Sequence, residues 1–223
     1  MNFSKKYHRL KRILNNPNIT GKKEMHTHLA MSILLEETKD EKAFTKYAKR
    51  LFNTSFKIIL TSPILNEYAL RFTSLSNEEK QDFGQRFFNI LTSSHKLTSV
   101  HFELRDTLDN SNIDEAGYSS SLKLIAVLKD SYVLSDMNFF MCALLHEFTH
   151  HVYLHNPEFA PIPTSQIKAI IEYGCLGFTD RRREPMEAPA YFVEEYLKKH
   201  NFTLSLISKI KQKRQTPDAE KHR

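Results

Sequence analysis

Residues 137–156 read Met137-Asn138-Phe139-Phe140-Met141-Cys142-Ala143-Leu144-Leu145-His146-Glu147-Phe148-Thr149-His150-His151-Val152-Tyr153-Leu154-His155-Asn156. The stretch is rich in good helix and core formers and contains neither Pro nor Gly. At about 3.6 residues per turn, His146 and His150 fall on one helix face, one turn apart, where two imidazoles can hold one metal ion. Glu147 follows the first of them. That puts a carboxylate beside the metal, within reach of a proton on an attacking water. The spacing is the one that zinc-dependent hydrolysis requires. Two histidines and a glutamate on a helix buried for packing alone would carry a desolvation cost with nothing to offset it.

Around this helix the chain has 223 residues, 40% of them apolar and sixteen of them Phe, enough for a sizeable core. No apolar run approaches the ~18 residues of a membrane span. The start, Met1-Asn2-Phe3-Ser4-Lys5-Lys6, is basic without the apolar stretch of a signal peptide. The two cysteines, Cys142 and Cys175, make neither a disulfide framework nor a Cys-x-x-Cys pair. A cytoplasmic protein is expected, or one exported without a classical signal, as an effector or toxin would be. The Gly-poor composition, rich in Lys, Asn and Phe, points to an AT-rich bacterial genome. The net charge of +6 is concentrated in residues 5–12, 181–183 and 209–214. Such patches can attract nucleic acid or anionic lipid. No nucleic-acid motif accompanies them, and solvated termini are the simpler reading. A monomer is expected.

Read outward from the motif, the pattern is helical, then briefly extended, then helical again. Residues 24–51 carry Met25, Leu29, Ile33, Leu34, Ala43, Tyr47 and Leu51 at helical spacing. Residues 56–60 form a short β-like run, and Pro63 opens a helix through Phe72. Ser76 with Glu79 three residues later is a capping box at the start of a Phe-rich helix. Val100, Phe102 and Leu104 alternate with polar residues, which predicts a half-buried strand over 97–104. Residues 109–112 predict a loop and 122–128 a second strand. That second strand is the expected sheet edge, where an extended peptide could pair. After the motif helix, Pro157, Pro161 and Pro163 break the chain. Helices are expected over about 165–173 and 185–200, then a short final helix and a disordered tail over 215–223. This divides the chain into a helical N-terminal region, 1–95, suited to an exosite or packed extension, and a core, 96–214.

A catalytic zinc takes three protein ligands and leaves one position open. His151 points about 100° away from His150 on the helix, and His155 is off the face as well, so both are expected at the surface or behind the ligands. Tyr153 and Asn156 stand where a longer motif ending in a third histidine needs Gly and His. Cys175 is not favoured. The best candidate lies in Arg183-Glu184-Pro185-Met186-Glu187-Ala188-Pro189-Ala190-Tyr191. A helix opening near Pro185 puts Glu187 and Ala190 on one face. The small Ala190 would let two helices approach closely around a metal. Glu184 competes with Glu187 for the role.

His-Glu-x-x-His followed some tens of residues later by Glu-x-x-Ala on a helix resembles the gluzincin zinc metallopeptidases, in particular their small, minimal members. The resemblance covers roughly residues 117–197. It implies an α+β, zincin-like fold, mostly helical, with a small sheet before the motif helix and helices after it. It also implies Zn2+ on His146, His150 and Glu187, Glu147 as general base, and Glu194 as a carboxylate that orients a ligand histidine.

The expected chemistry is hydrolysis of a peptide bond in a protein or peptide substrate. Tyr191 is the nearest candidate for stabilising the oxyanion, with Tyr173 behind it, and it could equally be a core residue. The alternative is a zinc-stabilised binding or regulatory protein that cleaves nothing, associated with nucleic acid through its basic segments.

Overall fold

The computed structural model describes residues 41–108, 115–156, 159 and 187–215. The residues expected to be helical over 24–40 and 165–173, the loop at 109–112, the basic residues 5–12 and 181–183, and the tail beyond Gln215 lie outside that description. So do Glu184, Tyr173, Cys175 and the three prolines after the motif.

The short β-like run at 56–60 is not a strand. It forms the last turns of helix α1 (Glu41–Thr61). Leu51, Ser55, Ile58 and Ile59 are buried in it at helical spacing. An existing helix gains one hydrogen bond per residue added, and that outweighs the weak β preference of five residues. Helix α2 (Pro63–Leu70) follows at once, with Ser62 as its N-cap and Pro63 in its first turn. A short 3-10 turn, Phe72–Ser74, leads to α3 (Asn77–His95). The expected capping box is in place: Ser76 Oγ accepts from the Glu79 amide at 3.2 Å, and Glu79 Oε2 accepts from the Ser76 amide at 2.9 Å.

Three strands follow: β1 (His101–Arg105), β2 (Ala116–Ser119) and β3 (Leu124–Leu128). Their order is β1-β3-β2, with β1 parallel and β2 antiparallel to β3. The strand expected at the edge, 122–128, is therefore the central one. Leu124, Ile125, Ala126 and Val127 are all buried, and an unbroken apolar run covered on both faces is the pattern of a central strand. The edges belong to β1 and to β2, which the sequence pattern did not disclose. The outer amides of β1 are occupied. Phe102 N donates to Gln85 Oε1 at 2.9 Å, and Leu104 N donates to Gln81 Oε1 at 3.1 Å, both from α3. Among the described residues no strand pairs with the outer edge of β2.

A 3-10 turn, Tyr132–Ser135, precedes the motif helix α4 (Met137–His155), which starts where Asp136 accepts from the Asn138 amide. Helices α5 (Glu187–Lys199) and α6 (Phe202–Gln215) complete the described chain. Helix α5 is described from Glu187 onward, and Pro189 lies within its first described turn. One hydrophobic cluster runs from Tyr47 through Phe83, Phe102, Phe140 and Phe148 to Ile210. Residues on both sides of position 95 therefore share the same core. The described residues are mostly helical, with a small three-stranded sheet that precedes the motif helix. No helix of the described residues is long and apolar enough to cross a membrane.

Candidate metal centre

Helix α4 is buried on almost every side, which its composition requires. Phe148 stacks on Phe88 of α3 at 5.5 Å, and Phe140 meets Phe102 of β1 at 5.8 Å. Inside the motif, Thr149 Oγ1 donates to the Leu145 carbonyl at 2.8 Å and accepts from Tyr47 Oη of α1 at 3.5 Å. The remaining face is the one that carries His146 and His150. Helix α5 packs along α4 more extensively than any other element does. Ala190, fully buried, permits the close approach.

On that face the His146 and His150 rings lie 5.2 Å apart, centroid to centroid. His146 Nδ1 is 3.5 Å from Glu194 Oε2 on α5. A carboxylate beside Nδ1 favours that nitrogen as the one that carries the proton. Glu147 is 8% exposed, and its Oε1 lies 4.0 Å from His146 Nε2. So the Glu147 carboxylate and the His146 Nε2 are on the same side of the helix. The His146 imidazole, and Lys198 next, hold Glu194 well below the usual carboxylate range, at about 2, against the opposing effect of burial. Glu194 is thus ionised, as an acceptor for a histidine ligand must be. Two imidazoles and two carboxylates thus lie near one another on the facing sides of α4 and α5.

Tyr191, half-buried on α5, packs edge-on against His146 with ring centroids 4.9 Å apart. It therefore stands beside the pair rather than in the distant core. Glu187 is the first residue of α5, on the helix that faces the histidines, but its side chain lies outside the described residues. Among the described residues no three His, Cys, Asp or Glu side chains stand close enough together to hold a metal ion. Cys142 is buried, its thiol is pushed up to about 12 by desolvation, and it points at the Glu194 carbonyl at 3.9 Å. It is a packing residue.

His151 departs from the sequence reading most clearly. Expected at the surface or behind the ligands, it is fully buried. Its Nε2 donates to the Thr98 carbonyl at 2.9 Å, and its Nδ1 accepts from Tyr118 Oη of β2, also at 2.9 Å. One imidazole therefore ties α4 to edge strand β2 and to the segment entering β1. Burial pushes its pKa down to about 4, partly opposed by the Thr98 carbonyl. Asn156 secures the same segment, accepting from the Thr98 amide at 2.9 Å. Tyr118 was not singled out from sequence. A lone Tyr after a Gly in a four-residue strand carries no signal without its partner on the helix. Phe159 folds back under Arg50, whose guanidinium carbon lies 3.7 Å from the ring centroid, and so anchors the exit from α4 against α1.

Compared with protein-family profiles, curated proteins and solved structures, the chain matches none.

Proposed function

We propose that the protein is a zinc-dependent metallopeptidase with a gluzincin-type site and a zincin-like fold. The observation that carries the reading is the pairing of His146 Nδ1 with Glu194 while Nε2 faces the buried Glu147. A carboxylate buried beside a histidine, directly after it on the helix, is where a general base for a metal-activated water would sit. His146, His150 and Glu187 would hold the ion. When bound, zinc would supply the Lewis acid that polarises the scissile carbonyl and acidifies the attacking water.

The rest is the work of side chains. Glu147 takes the water proton and returns it to the leaving amine. Glu194 keeps the His146 ring oriented. Tyr191, against that ring, donates to the developing oxyanion. Strand β2, rather than the central β3, has an outer edge that no strand pairs with among the described residues, and an extended protein or peptide substrate would lie along it.

The test is a substitution that spares metal binding. Glu147→Gln should keep its zinc and lose hydrolysis of an unfolded protein substrate such as casein. Equal turnover by the purified variant would sink the mechanism. Zinc bound by the wild type, with no hydrolysis of any peptide pool, would favour a zinc-stabilised binding protein.

A further inference from the structure

We infer that Lys198 is a positioning residue of the candidate metal centre, fixing the Glu194 carboxylate so that one of its oxygens stays on His146. The inference rests on the metal-centre reading above and extends it by one residue.

The two oxygens of Glu194 are divided between two partners. Oε2 lies 3.5 Å from His146 Nδ1, and Oε1 accepts from Lys198 Nζ. Lys198 sits four residues after Glu194, one turn along the same face of α5. The contact to His146 is at the long limit of a hydrogen bond and holds the carboxylate loosely. A glutamate has three rotatable bonds, and one held only at that distance would turn toward water. The Glu194 side chain is 23% exposed and that of Lys198 48% exposed. The carboxylate therefore lies inside and the ammonium at the rim, pulling along the helix axis and keeping the second oxygen turned to His146.

Electrostatics alone predicts the opposite sign. A cation close to a metal site repels the metal, so its removal should tighten zinc binding. A half-exposed ammonium is well screened by water, and the loss of orientation is the larger effect. The sign of the change therefore decides between the two.

The experiment measures zinc affinity of the full chain by competition with a chromophoric chelator at neutral pH. Wild type is compared with Lys198→Met, Lys198→Arg and Lys199→Met, each checked for an unchanged thermal transition. Lys198→Met should bind zinc about tenfold more weakly, the low end of the effect of removing a group behind a ligand, and Lys198→Arg should recover most of the loss. Lys199→Met removes the same charge from the neighbouring exposed position and should bind as wild type does or slightly more tightly. Unchanged or tighter binding by Lys198→Met overturns the inference and leaves the metal centre standing. Equal weakening by Lys199→Met also overturns it. A wild type that binds no zinc removes the metal-centre reading and this inference with it.

Discussion

Acidification should unfasten the motif helix from the sheet through His151. The ring is fully buried, donates to Thr98 and accepts from Tyr118, so its neutral form is built into the fold. Its pKa drops from an ordinary 6.5 to about 4, chiefly by desolvation. The folded state thus holds the weaker base. Above about pH 6.5 neither state carries the proton, and the stability from this group is fully present. As pH falls through that value the unfolded chain takes up a proton that the folded chain refuses. Stability then falls by about 1.4 kcal/mol per pH unit until the folded state also protonates near pH 4. Across that window the loss approaches about 3 kcal/mol, a sizeable share of the 5–15 kcal/mol typical of a domain. The assay is urea unfolding between pH 4 and pH 7.5 with chelator present, so that metal linkage does not enter. Wild type is compared with His151→Gln, which cannot titrate. The stability advantage of wild type should be largest at neutral pH and shrink by nearly the full amount toward pH 4. An advantage independent of pH, or an NMR titration placing His151 near 6.5, would refute the reasoning.

Other outcomes follow from the same geometry. Gly84→Ala would drive a Cβ to 2.3 Å from the Phe102 ring. It should destabilise by about 2 kcal/mol in urea, overpacking outweighing the gain in helix propensity, and a more stable variant would show that the α3–β1 contact is loose. Glu194→Gln should weaken zinc binding by about 10- to 100-fold in chelator competition, because a neutral amide is a poorer acceptor for His146. Glu187→Ala should lower the zinc content measured by elemental analysis. The same loss in Glu184→Ala instead would move the third ligand. Tyr191→Phe should keep its zinc and lower kcat by about 10- to 100-fold if the hydroxyl serves the oxyanion, with KM little changed.

Much of the candidate site was legible in the chain itself. Two histidines four apart must share a helix face once the helix forms, and the apolar run around them leaves little else for it to form. The capping box at Ser76 and Glu79 was equally legible, since both partners lie within one turn. Glu194 was readable as a partner of His146 only through a resemblance, because the contact joins residues 48 positions apart.

Sequence alone thus determined what depends on neighbours within a turn: the motif helix, the histidine pair on one face of it, the adjacent carboxylate, and the mostly helical character of the chain. Only the tertiary structure decided what depends on packing between distant segments. Residues 56–60 joined α1 because helical burial overrode a local β preference. The expected edge strand became β3, the centre of the sheet, because a short apolar run does not encode how many neighbours it will pair with. The edge passed to β2, a strand too short and too polar to announce itself. His151, expected at the surface or behind the ligands, was buried because Tyr118 of β2 and Thr98, just before β1, satisfy both ring nitrogens. A buried imidazole is tolerated only when such partners are present, and no local pattern records that they will be.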